Sequence, residues 1–383
     1  MIKYKLGDVV KVISERVDNP ANCEYDKFVG LEHYVSGEIE IKKYGNTSLL
    51  KSAMKVFKSG DILVARRNVY LKRASIVKFD GITSGDSIVL RVEDKLLRRI
   101  IPFVLNTDEF WGYAEKFSDG TMSKRLSPKV LLEYEFMLPQ IDQQEKLADL
   151  LWAVNYTNEA YKKLLHLTDE LVKSQFIEMF GDPVTNPNGW AVMKMKDASL
   201  RLSDGPFGSN LKSEHYSSEG IRVIRLQNIG SGDFNDDDKA YVSHEHYQKI
   251  KKYTCESGDI VIGTLGEPNL RACIIPDSID IAVNKADCVH YVPKPDILNN
   301  VFVCHYINCP STIIMAQGSV HGNTRQRISS GQVAQLPIFM PPTSLQNQFA
   351  DFVQQADKSK LNLEQNLVNL EVTLKALMSK SVG

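Results

Sequence analysis

The chain repeats itself at an offset near 200 residues, and this limits its architecture more than any other feature. SGDILVARRNVYLKRASIV at 59–77 answers SGDIVIGTLGEPNLRACII at 257–275. Ser59-Gly60-Asp61-Ile62 matches Ser257-Gly258-Asp259-Ile260, and Arg73-Ala74 matches Arg271-Ala272, all 198 apart. DGTMSKRLS at 119–127 answers HGNTRQRIS at 321–329, where Gly120, Arg125 and Ser127 match Gly322, Arg327 and Ser329 at an offset of 202. The same offset carries on through Pro139 and Pro341, Gln144 and Gln346, and Ala148-Asp149 and Ala350-Asp351. Solenoid units are roughly 20–50 residues long, so this is a duplicated domain. Each copy is a mixed domain followed by a long helix.

Strand patterns recur in both copies. VVKVI, DILVA, ASIVKF and DSIVLRV read as strands in the first, and IRVIRL, DIVIGT, ACIIP and DCVHYV in the second. Short helices are expected near 96–106, 127–133, 244–252 and 298–307. The long helices carry a three-four stripe. In the first it runs Leu147, Leu151, Val154, Asn158, Tyr161, Leu165, Thr168 and Val172; in the second, Phe349, Val353, Ala356, Lys360, Leu363, Leu367, Leu370 and Leu374. This is the seam of a coiled coil, with the polar interruptions Asn158 and Lys360 at the same step. Helices of ~38 residues, on the order of 55 Å, are predicted to pair antiparallel with each other. The expected fold is α+β: two tandem mixed domains separated by two long antiparallel coiled-coil helices, related by a pseudo-two-fold. Domain boundaries are predicted at 1–140, 141–180 (central helix), 181–340 and 341–383 (distal helix). Between the copies, FGDPVTNPNGW at 180–190 reads as a turn, with Gly181 ending the helix and Pro183 preventing its continuation.

Net charge is −1, yet residues 1–140 hold 23 Lys+Arg against 19 Asp+Glu, with Arg66-Arg67, Lys72-Arg73 and Arg98-Arg99 among them. A local basic surface is therefore compatible with a neutral whole. The six cysteines, Cys23, Cys255, Cys273, Cys288, Cys304 and Cys309, form no CxxC pair and read as buried thiols. No apolar run approaches ~20 residues, and the charged N-terminus is not a signal peptide. No membrane span and a cytoplasmic location are expected.

A two-fold arrangement of diverged copies suits duplex DNA, one unit per half-site. The predicted target is an asymmetric bipartite site with an unread spacer. Four features resemble the specificity subunits of Type I restriction–modification systems: GDP…NP-x-GW after a long helix; GPFGSNLKSEHYSSEGIRVIRLQNIGSGDF; SGDI before a strand pair; and G-x-x-x-x-R-[LI]-S, then P-x-x-x-x-Q and a leucine-rich helix. The resemblance covers nearly the whole chain. It implies two target recognition domains, double-stranded DNA as ligand, and assembly with two modification (methyltransferase) subunits and with restriction (endonuclease/translocase) subunits. S-adenosylmethionine, ATP and Mg would sit on those partners, with no cofactor in this chain. The first copy departs from the pattern, lacking a clear counterpart of GPFGSNLK…GI, which leaves residues 20–55 open.

No catalytic motif emerges. TNPNG at 185–189 lacks the second proline and the aromatic of an amino-methyltransferase motif. There is no GxxxxGK[ST]. Asp277, Asp280 and Lys285 form no acidic-x-Lys pair, and His290, His305 and His321 read as isolated core or surface residues. Candidate DNA contacts lie on loops, where Arg offers a fork for guanine and Asn or Gln for adenine. They are Arg66, Arg67, Asn68, Tyr70 and Lys72 at one strand tip, opposite Thr264–Asn269, and Ser123, Lys124 and Arg125 before the first long helix. In the second copy they are Ser209, Asn210, Lys212, Gln227 and Asn228, with Asn323, Thr324, Arg325, Gln326 and Arg327 before the distal helix. Arg125 and Arg327, being repeated, read equally as loop anchors. Phe207 and Tyr216 read as core. The alternatives are a structural coiled-coil scaffold that binds no DNA, or the specificity subunit of a combined restriction/methylation enzyme.

Overall fold

The computed structural model describes residues 1–120, 123–317 and 327–381. It divides into two compact units, one of 1–164 with 363–383 and one of 165–362. Each long helix therefore contributes to both.

In the first unit a four-stranded sheet runs in the order Lys11–Ile13, Ser87–Arg91, Ile62–Ala65, Ala74–Ile76. Ile62–Ala65 is buried at every position. Its sequence is a continuous apolar run because both faces are covered. Ile62 and Val64 face a core with Ile101, Phe103, Phe110 and Trp111 from the helices Lys95–Val104 and Asp108–Phe117. Leu63 and Ala65 face Val29 and Phe57 of a second sheet. That sheet has five strands, Arg16–Val17, Met54–Phe57, Gly81–Thr83, Lys27–Val29 and Gly45–Asn46.

The second unit repeats the plan. Its four-stranded sheet runs Ser199–Ser203, Cys288–Pro293, Ile260–Gly263, Arg271–Ile274. Ile260 and Ile262 meet Phe302, Tyr306 and Phe339, while Val261 faces the other way towards Ile224 and Cys273. Its five-stranded sheet contains one parallel pair, Ile221–Ile224 with Ile281–Asn284, as Lys27–Val29 pairs with Gly81–Thr83 in the first.

That pairing places part of the open segment at 20–55. The turn after Lys27–Val29 bonds the Gly30 N–H to His33 Nδ1 at 2.9 Å. The turn after Ile221–Ile224 bonds the Arg225 N–H to Asn228 Oδ1 at 2.8 Å. VGLEHYVSG is thus the structural counterpart of IRLQNIGSG. The likeness is hidden because the turn requires only a side-chain acceptor at its third residue, which His and Asn both supply.

The central helix is Ile141–Phe180 and the distal helix Thr343–Ser381. In the first unit Leu147, Leu151 and Trp152 share a core with Leu374, Leu377 and Met378. In the second, Val172, Phe176 and Phe180 share one with Phe349, Val353 and Ala356. Early central helix thus meets late distal helix, and late meets early, as antiparallel partners do. The stripe positions are buried or half-buried throughout, including Val154, Tyr161, Leu165, Leu363, Leu367 and Leu370. A fully buried aromatic such as Phe349 contributes about 2–3 kcal/mol. Lys360 Nζ lies 2.8 Å from Asp169 and 3.8 Å from Asp233. Burial opposes its charge, but the Asp169 hydrogen bond and the fields of Asp233 and Asp357 hold its pKa above the ordinary value. Asn158 Oδ1 is buried with no partner.

The central helix stops at Gly181, whose φ of +80° places it in the left-handed region. A side chain there would also collide with Pro187. Asp182 Oδ1 accepts from the Val184 and Thr185 N–H groups, and Trp190 Nε1 donates to the Phe180 carbonyl at 2.8 Å.

Candidate nucleic-acid interface

The repeated residues build a frame. In SGDI, Gly60 and Gly258 have φ of +90° and +84°. The Asp61 and Asp259 carboxylates accept from Lys58 N–H at 2.8 Å and Glu256 N–H at 2.9 Å. Asp61 then grips Arg91 through two bonds, and Asp259 lies 2.7 Å from His290 Nε2. Arg73 donates to the carbonyls of Arg67 and Leu31. Arg271 donates to those of Leu265 and Leu226. Each guanidinium thereby ties a strand tip to the turn beside it. Ser127 and Ser329 cap the short helices Pro128–Leu132 and Ser330–Gln335. Buried Gln144 and Gln346 donate to the carbonyls of Pro139 and Pro341 at 2.9 and 2.7 Å.

On this frame the first unit brings two predicted loops together. Asn68 N–H bonds to the Lys124 carbonyl at 3.0 Å, and Ser123 Oγ to Asn68 Oδ1 at 3.0 Å. Leu126 N–H bonds to the Arg66 carbonyl at 2.8 Å. Arg66, Arg67 and Arg125 therefore converge, with Lys55 below them. Burial lowers the pKa of Arg66, and the nearby Arg125 charge adds to it. Burial also lowers that of Lys55, helped by Arg66 and Arg16. Arg66 Nε is buried with no partner. Asp86 is the carboxylate in their midst: it pairs with Arg125 and lies 3.5 Å from Arg67 Nε. Lys124 instead caps the Glu115 carbonyl at 3.0 Å, Lys72 pairs with Asp108 at 2.6 Å, and Tyr70 is exposed.

In the second unit Arg327 pairs with Asp287 at 3.1 Å, as Arg125 does with Asp86. The Arg66 position is taken by Thr264, a small buried residue. Equivalent positions thus hold an arginine that joins a cationic cluster in one unit and a small buried threonine in the other. Ser209, Asn210, Lys212 and Gln227 are exposed. The structure corrects the reading of Asn228. It is fully buried, its amide donating to the Asn235 and Asp238 carbonyls and its oxygen accepting from Arg225 N–H, so it is part of the frame and reads no base. Phe207, expected in the core, is 48% exposed and faces the Arg327 guanidinium at 6.0 Å. Asn323, Thr324, Arg325, Gln326 and His321 lie outside the described residues. Asp86 and Asp287 were not singled out from the sequence; both open apolar strand runs, DSIVLRV and DCVHYV, where an aspartate reads as an ordinary strand boundary.

No group of three or more His, Cys, Asp or Glu among the described residues is placed to hold a metal ion, and no described helix is long and apolar enough to cross a membrane. Cys255, Cys273, Cys288, Cys304 and Cys309 are buried and unpaired, and burial raises their thiol pKa values.

The duplicated frame thus holds unlike side chains at matching tips. Residues 187–372 match the Type I restriction modification DNA specificity domain. In sequence and fold the chain is similar to the specificity subunits of Type I restriction–modification systems. It is 22% identical over 355 residues to the specificity subunit of the Type I restriction enzyme MjaIX of Methanocaldococcus jannaschii, covering 86% of this chain and 78% of the relative. It shares its fold with a solved chain from work on complex assembly and conformational transition of the type I R-M system (TM-score 0.58, 17% identity, 99% of this chain and 96% of that one). The S subunit of such a system from M. genitalium is also similar (TM-score 0.56, 15% identity, 99% and 95%).

Proposed function

We propose that each unit reads one half of an asymmetric bipartite site in double-stranded DNA, and that partner modification and restriction subunits methylate and cut according to that choice. The observation that carries this reading is the meeting of Arg66, Arg67 and Arg125 in the first unit, on a frame that carries Thr264 at the same place in the second. Guanidinium groups recognise guanine edges and phosphates, and a different set at each tip selects a different sequence. The inverted, pseudo-two-fold placement of the units and the S-adenosylmethionine, ATP and Mg of the partners belong to this proposal, as does a cytoplasmic location.

A domain exchange tests it. Residues 190–340 are replaced by those of another family member, and methylated adenines are mapped genome-wide. One half of the motif is expected to change and the other to persist. A change in both halves, or in neither, would overturn the modular reading.

A further inference from the structure

We propose that Asp86 and Asp287 are positioning residues for base discrimination, one in each unit. This deepens the DNA-reading function above and rests on it.

Both aspartates sit in the same knot. The Asp86 carbonyl accepts from Arg66 N–H at 2.9 Å, and the Arg66 carbonyl accepts from Leu126 N–H at 2.8 Å. The Asp287 carbonyl accepts from Thr264 N–H at 3.2 Å and Oγ1 at 3.0 Å, and the Thr264 carbonyl accepts from Ile328 N–H at 3.1 Å. One residue thus joins the strand tip to the loop before the short helix. Its carboxylate then takes the arginine that this loop delivers, Arg125 in one unit and Arg327 in the other. The two knots are built from different neighbours, Gly85 and Ser87 in one, Ala286 and Cys288 in the other. The aspartate, its backbone bonds and its arginine are what they share.

Two physical consequences follow. A guanidinium held by a fixed carboxylate loses little further freedom when it meets a base edge, which favours the geometrically matched sequence. The carboxylate also offsets part of the positive charge and repels phosphates that approach without the matching base contacts. Non-specific binding, which counterion release drives, is thereby held down. In the first unit Asp86 does this for Arg67 and Arg125, beside Arg66 and Lys55.

The test uses the chain assembled with its modification subunits, binding a cognate duplex and duplexes altered in one half-site, across a salt series. Asp86→Asn is expected to raise affinity for non-cognate DNA several-fold at low salt, with a salt slope steeper by about one unit. It should cut discrimination about tenfold in one half-site only. Asp287→Asn should do so in the other half-site, and Asp→Glu should restore most of it. Wild-type slope and discrimination in the Asn variants would overturn the proposal. So would equal loss at both half-sites with a lowered melting temperature, which marks a purely structural role. A wild-type complex with no cognate preference would instead overturn the DNA reading itself.

Discussion

His305 packs in the second unit against the rings of Phe176 and Phe349, with centroids 6.5 and 5.1 Å away. Burial, with the Lys360 charge adding, lowers its pKa from 6.5 to about 4. The unfolded chain takes up a proton near pH 6.5 that the folded chain refuses until about pH 4. Stability is therefore lost as pH falls through that window, by up to about 3 kcal/mol from this group. In His305→Phe that part of the slope should vanish, as read from urea midpoints at pH 7 and 4.5; parallel curves for variant and wild type would refute it. At this scale the sequence is unevenly legible. Gln227 and Asn228 are adjacent polar residues with the same capacity to read a base. The turn Leu226–Asn228 leaves the first exposed and seals the second inside. Composition carries no sign of which way such a turn faces. Arg125 and Arg327 suit base contact and anchor equally in sequence, and both are engaged by an aspartate about 40 residues away that no local pattern connects to them.

The long helices were the most legible elements, because a three-four stripe sustained over eight positions has no other economical solution. Their polar interruptions share a step yet differ in chemistry. Asn158 buries an oxygen with no partner, whereas Lys360 answers Asp169 and Asp233. Asn158→Leu is expected to stabilise the first unit by about 1 kcal/mol, and Lys360→Leu to destabilise the second by about 1–3 kcal/mol. Chemical denaturation of the two variants checks this, and a stabilising Lys360→Leu would contradict it. Four short helices fell near their expected places. Asp108–Phe117, Pro310–Gln317 and Ser330–Gln335 were not anticipated. The first mixes Gly112 with charged and aromatic residues. The second is apolar without a dominant face, and the third is six residues long. The first does bury one face, with Phe110, Trp111 and Ala114 behind the Thr107 cap; the other two offer no strong period.

Across the whole molecule the duplication was legible wherever a contact demands one residue type, as with Gly60 and Gly258, Arg73 and Arg271, or Gln144 and Gln346. It faded where several types serve, as at His33 and Asn228. The first unit is assembled from both ends of the chain, since residues 363–383 belong with 1–164. Leu374, Leu377 and Met378 pack against its core. Deleting the chain after Asn362 should therefore speed amide hydrogen exchange around Ile101 and Trp152 and leave the Phe302 region protected. Loss of protection at Phe302 alone would refute this. During synthesis, the core of the first unit stays uncovered at Leu147 and Trp152 until residues 363–383 have been made. The second unit, residues 165–362, has all its pieces before those residues are added, so the core begun first is the one completed last.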